Sequence, residues 1–256
     1  MKRVILIWIF YFIFIVPSFA QSPEITNGLN YLTSTQNPAG SWGNETSSTE
    51  ILPSTVSVIE TLQILNQTNT PGYSNSLLWL HVQGLETTDY LSERILALSV
   101  SGADLNLLLS YINQFSFAWG GYTSYEVNNL DTALALQALK AVNYSDQTVI
   151  QAAINYLLST QNPDGGWGFY LGNESNVYMA ALVSTTLQQF PQTTSTATAI
   201  NKAISYLIAH QNADGGFGSS SSTVYETAYA YMTLVEMTTD NTVLGNAVNY
   251  LKSNQS

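Results

Sequence analysis

Three closely similar blocks of sixteen residues constrain this chain more than any other feature. They read GLNYLTSTQNPAGSWG at residues 28–43, AINYLLSTQNPDGGWG at 153–168 and AISYLIAHQNADGGFG at 203–218. Self-similarity at a fixed period marks a repeat architecture, in which each unit buries its apolar face against its neighbours. Partial copies fill the gaps. Residues 78–83 keep the end of the block, residues 111–120 keep Trp119 behind a shortened turn, and residues 247–255 stop before the glycine turn. Anchored on Tyr31, Leu78, Tyr111, Tyr156, Tyr206 and Tyr250, the copies recur every 33 to 50 residues. A step of that length holds one helical hairpin.

Within a copy, Ile150, Ala153, Ile154, Leu157 and Leu158 recur at helical spacing. That helix stops at Asn162-Pro163-Asp164-Gly165-Gly166, because proline removes a backbone donor and glycine takes up positive φ. A second helix then begins, as at residues 131–141, 175–188 and 223–237, and it is apolar on most faces. A helix of that kind belongs inside. The expected chain is therefore all-α, with about six tandem hairpins, an outer and an inner helix in each, and an incomplete last copy. The expected number of helices is eleven.

Residues 1–20 predict an export leader. Lys2 and Arg3 precede an apolar run from Val4 to Val16, and small residues at Ser18 and Ala20 place cleavage before Gln21. A run of that length is shorter than the roughly 18 residues needed to span a bilayer, so no stable membrane span is expected after cleavage. The remaining 21–256 read as one domain, secreted to the extracellular space or the cell surface. They carry four basic residues, Arg94, Lys140, Lys202 and Lys252, against 17 acids. Such an excess repels phosphate backbones and argues against nucleic-acid partners. With no cysteine in the chain, disulfides and thiolate chemistry are excluded. Sequons at Asn44, Asn66, Asn143 and Asn173 are open to glycosylation where the host has that machinery.

The pattern of an aromatic, aliphatics, Gln and Gly-x-Trp resembles the QW repeat of squalene-hopene and oxidosqualene cyclases. QNPDGGWG at residues 161–168 also resembles the hairpins of protein prenyltransferase β subunits. The resemblance implies an α/α toroid, inner helices ringed by outer ones around an apolar cavity. It also implies structural roles for Gln36, Gln161 and Gln211 and for Trp42, Trp119, Trp167 and Phe217. In that family the Gln and Trp tie the end of an outer helix to its neighbour.

The resemblance supplies residue tests for activity as well. Cyclases protonate their substrate with the central Asp of a D-x-D-D-T-A segment. The matching stretch here is Asn128-Asn129-Leu130-Asp131-Thr132-Ala133, with leucine at the donor's position. Prenyltransferases need a zinc-bound thiolate, which a chain without cysteine cannot build. His81 and His210 sit in copies far apart, so neither a metal nor a cofactor is expected. No G-x-S-x-G elbow marks a serine nucleophile.

Two sets of residues remain as candidates. Aligning the inner helices places Glu93, Asp131 and Glu226 at one position, with Tyr178 in the repeat between the last two. Carboxylates sharing one mouth of a cavity could act as acid and base or take up a cation. The same acids also suit helix caps, since Thr223-x-x-Glu226 is a capping box and Asn128-x-x-Asp131 resembles one. The second set is aromatic: Tyr122, Tyr125, Phe169, Tyr170, Tyr178, Tyr225 and Tyr229 follow the glycine turns. Such rings serve as core or as ligand contacts. The leading expectation is a catalytically lapsed toroid that binds an apolar small molecule or a surface protein at its cavity mouth. The alternatives are a terpenoid cyclase-like enzyme with a non-standard acid, and a toroid that binds or degrades glycans.

Overall fold

A computed structural model describes residues 22–84, 86–99, 102–113 and 116–254. The proposed leader at residues 1–20 lies outside them, as do Gln255 and Ser256. Eleven helices are present among the described residues: α1 (Pro23–Thr35), α2 (Ser48–Ile64), α3 (Pro71–His81), α4 (Thr88–Leu98), α5 (Ala103–Ser110), α6 (Asn129–Ala141), α7 (Gln147–Ser159), α8 (Val177–Gln188), α9 (Thr194–Ala209), α10 (Val224–Met237) and α11 (Asn241–Ser253). No strand accompanies them, only isolated bridges at the turns, such as Trp167 with Asn176.

The chain divides into a unit ending at Ser34 and a unit from Thr35 onward. The first contains most of α1, an amphipathic helix that buries none of its residues fully. In the second, α2, α4, α6, α8 and α10 pack each against the next. The intervening helices lie against this row, α3 on α2, α5 on α4, α7 on α6, α9 on α8 and α11 on α10. The inner row is buried on almost every side. From Asn129 to Leu139, α6 leaves only Leu130 and Leu134 less than fully buried.

The repeated block explains this order. Each conserved-length turn brings a glycine of positive φ against the next outer helix. At Gly165 (φ 93°) a Cβ would stand 2.6 Å from the Lys202 carbonyl of α9, and at Gly215 (φ 86°) 2.7 Å from the Asn246 carbonyl of α11. Only glycine permits both the dihedral and the approach. The glutamine at the end of the outer helix then locks the pair. Gln161 Nε2 donates to its own turn at Gly165 O and to Ala199 O of α9, each at 2.9 Å. Gln211 does the same to Gly215 O and Val243 O of α11, and Gln36 to Gly40 O and Gly72 O of α3.

The aromatic that closes the block seals the hairpin from inside. Trp119, Trp167 and Phe217 are wholly buried, and Trp42 nearly so. The Trp167 indole donates to Leu157 O at the end of α7, and that of Trp119 to Leu108 O of α5. Each adds a donor to a carbonyl in the last turn of a helix, where Leu157 O also accepts from Thr160 Oγ1 and Leu108 O from Tyr111 N.

Candidate functional site

The starts of the inner helices set the register of the site. The backbone N–H groups of Asn128, Asn176 and Thr223 donate to Trp119 O, Trp167 O and Phe217 O, so these three residues are equivalent N-caps. Each side chain accepts from the N–H three residues on, at Asp131, Met179 and Glu226. For α4 the N-cap is Thr87, because Thr88 N donates to Gly121 O just as Asn129 N donates to Phe169 O.

This register corrects the alignment expected from sequence. Asp131 and Glu226 do share a position, but Tyr178 precedes it by one residue and Glu93 lies one turn further along. The equivalents of Tyr178 are Asp89, Leu130 and Tyr225, and those of Glu93 are Leu134, Leu182 and Tyr229. Asp131 and Glu226 belong to the caps: Asn128 Nδ2 donates to Asp131 Oδ2, and Thr223 Oγ1 donates to Glu226 Oε2 at 3.1 Å. Burial pushes the Asp131 carboxyl up to about 6, against the bond from Asn128, with the charge of Asp89 adding to the rise.

The residues one turn apart on each inner helix form the open stripe of the row. They are Asp89, Glu93 and Leu96 on α4, Leu130 and Leu134 on α6, Tyr178 and Thr185 on α8, and Tyr225, Tyr229 and Met232 on α10, all less than fully buried. On α2 the same stripe holds Ser57 and Glu60. We take this partly uncovered stripe of the inner row as the candidate cleft.

Its two chemical components are tyrosines and carboxyls. The rings of Tyr178, Tyr225 and Tyr229 pack with centroids 5.5, 5.1 and 4.9 Å apart. Burial holds the Tyr178 and Tyr229 phenols far above their ordinary range. The charges of Glu60 and Glu93 raise Tyr229 further, and that of Glu93 raises Tyr178, so both acids lie within electrostatic range of the triad. Burial, then Asp89 and Glu60, push the Glu93 carboxyl up to about 8. Glu93 is thus largely protonated at neutral pH, and its Oε2 is buried without a hydrogen-bond partner. Burial raises Glu60 as well.

No sequence signal singled out Glu60 or Asp89. Glu60 stands near the end of a helix where an acid reads as ordinary surface, and only the packing of α2 against α4 brings it to Glu93. The other candidate aromatics lie elsewhere. Tyr122 pairs with Tyr125 and Tyr111, and Phe169 meets Tyr170 edge-on in the loop before α8. Tyr170 acts on Tyr156, whose hydroxyl donates to Val127 O.

A depression of about 310 Å³ is lined by Gln161, Thr194, Thr198 and Lys202, and another of about 510 Å³ at the turn before α8 is lined by Asn162, Asp164, Asn173, Glu174, Tyr206 and His210. Its polar groups are engaged in the turn itself. Asp164 Oδ1 accepts from Gly166 N and Ser175 Oγ, Asn162 Nδ2 donates to Asn173 O and Ser175 Oγ, and His210 stacks on Tyr206. His81 ends α3, and among the described residues no three His, Asp or Glu side chains converge to hold a metal.

Residues 132–256, slightly under half of the chain, match the family model of the squalene-hopene cyclase C-terminal domain. No curated protein matches the chain in sequence. Among solved structures it is similar to the type II terpene cyclase MstE from Scytonema, with a TM-score of 0.67, 16% identity, and coverage of 91% of this chain and 79% of that one. It is also similar to ent-copalyl diphosphate synthase from Streptomyces platensis, with a TM-score of 0.64, 18% identity and 79% of this chain covered. It spans 44% of that synthase. A protein from Actinoplanes matches with a TM-score of 0.61 and 17% identity. The chain has the all-α barrel fold of the type II terpene cyclase domains, an α/α toroid.

Proposed function

We propose that this terpene cyclase-like toroid binds an apolar ligand of the isoprenoid class along the cleft of its inner row and has lost the usual acid-initiated cyclisation. The observation that carries this reading is the open stripe itself, in which Leu130, Leu134 and Tyr178 stay partly uncovered between buried neighbours and Tyr225 and Tyr229 continue it on the more exposed α10. Branched hydrocarbon chains bury well against leucine and ring faces. Loss of cyclisation is supported by Leu130, since a leucine has no proton to give. MstE is a type II terpene cyclase and the Streptomyces platensis protein an ent-copalyl diphosphate synthase, which supports an isoprenoid over another hydrocarbon.

Titration with geranylgeraniol and squalene, followed by melting temperature and aromatic fluorescence, is expected to show saturable binding. Tyr229→Ala should weaken it about tenfold, or ~1.4 kcal/mol. Absence of any isoprenoid response would sink the reading, and a response to oligosaccharides instead would favour the glycan alternative.

A second reading rests on Glu93. A carboxyl that keeps its proton at neutral pH beside three aromatic rings has the attributes of a general acid. Incubation with squalene or geranylgeranyl substrates should return them unchanged. A cyclised product made by the wild type and lost in Glu93→Gln would replace lapsed binding with acid catalysis.

Export as a single domain after removal of residues 1–20 belongs to the same proposal, supported by the charged start and apolar run of that segment. Sequencing the amino terminus of the native protein should begin at Gln21. A cell-retained protein that still starts at Met1 would refute it.

A further inference from the structure

Resting on the isoprenoid-binding reading, we infer that the ligand carries a head group that donates hydrogen bonds and bears no negative charge, an alcohol or an amine, anchored on Glu93. Two independent observations lead there. The first is that Glu93 Oε2 is buried with no partner inside the protein, on a residue whose charge is felt by the tyrosine triad. A buried acceptor left unpaired is costly, and a ligand O–H or N–H would remove that cost.

The second is the sign of everything around it. Every charge that acts on Glu93 and on the triad is negative, coming from Glu60, Asp89 and Glu93 itself or from the tyrosines. The four basic residues of the exported chain are placed elsewhere. Arg94 is bound to Asp104 of α5 at 2.6 Å, Lys140 lies over the Phe190 ring, and Lys202 and Lys252 are exposed on outer helices.

A diphosphate head therefore meets no counter-charge. Two other ways of taking one up are closed as well. Helix N-termini attract phosphate, but the first turns of α4, α6 and α10 already hold Asp89, Asp131 and Glu226, and at α8, which has no acid there, the Asn176 side chain takes the Met179 N–H. Among the described residues no cluster of three acids or imidazoles is tight enough to hold a bridging metal ion. An ammonium gains from the same arrangement, through the carboxyls and through the faces of Tyr178, Tyr225 and Tyr229. Asp131, the remaining titratable group of the neighbouring helix, adds to the negative field once ionised.

The test compares four ligands of one hydrophobic type on the full exported chain: geranylgeraniol, geranylgeranylamine, geranylgeranyl diphosphate and squalene. Affinity for the alcohol and the amine should exceed that for the diphosphate at least tenfold at pH 7. Glu93→Leu should erase about tenfold of the preference for alcohol over squalene, and Glu93→Gln, which keeps an amide at the position, should retain most of it. Circular dichroism of each variant confirms folding. Binding of the diphosphate as tightly as the alcohol, or an unchanged alcohol-to-squalene ratio in Glu93→Leu, overturns the inference while leaving the isoprenoid reading intact. Failure of all four ligands, squalene included, overturns that reading and the inference with it.

Discussion

Glu93→Gln is expected to make the protein more stable at pH 8, by as much as about 5 kcal/mol, and to leave it little changed near pH 4.5. Glu93 has a folded value of about 8 against an ordinary 4.5. Between those values the native state holds a proton that the unfolded chain has released. Stability of the wild type therefore falls as pH rises through that window and levels off above it. Glu60 and Asp131 are shifted in the same direction and steepen the decline. Asp214, lowered by its bonds from Ser222 and Gly216, works the other way, but only at more acid pH. A neutral amide of the same shape removes the Glu93 contribution, raising the melting temperature at pH 8 by up to roughly 10 °C. Thermal melts of both proteins at pH 5, 6.5 and 8 decide the matter. Parallel curves for wild type and variant would mean that Glu93 ionises normally.

Trp167→Ala should be the most damaging single change in the repeat blocks, at about 3–5 kcal/mol from the emptied volume. Its side chain is wholly buried, and the indole N–H is the partner of Leu157 O. Truncation leaves a void and strips Leu157 O of its indole donor, leaving it only the Thr160 hydroxyl at 3.1 Å. Trp167→Phe separates the two, because the next repeat already carries Phe217 in that slot, equally buried. That variant should lose only about 1–2 kcal/mol, chiefly the hydrogen bond. Urea denaturation measures both, and equal losses would show that the indole bond, not the packing, dominates.

Much of this architecture is legible in the sequence because each repeated residue has a local task. Gln161, Gly165 and Trp167 act within or next to their own turn, so their spacing survives intact in the chain. The cleft is less legible. Its members come from five helices, and their agreement in height depends on where each helix begins. Glu93 aligned with Asp131 on the page because both are acids near the start of an inner helix, but α4 opens on Thr87 and places Glu93 a full turn deeper. That turn separates a capping carboxylate from one enclosed among tyrosines. Glu60 was beyond reach for a related reason. α2 begins one turn early relative to the others, since Thr55 takes the Trp42 N–H as Thr132 takes that of Trp119.

The paired amide bonds of Gln36, Gln161 and Gln211 are not evenly distributed. Gln83, which ends the second copy, instead donates to Trp79 O of its own helix. In its place Arg94 reaches from α4 to Gln83 O and to Asp104, and the Tyr111 hydroxyl donates to Glu86 O. Neighbour-to-neighbour coupling in such an array sets where it opens first. The stretch from α3 to α5 is thus a fault line between two better-riveted blocks. It also contains Glu93. A chain that loosens there would expose the wall of its own cleft before either block melts, and so would open to the proposed hydrophobic ligand a side entrance that a uniformly clamped ring would lack.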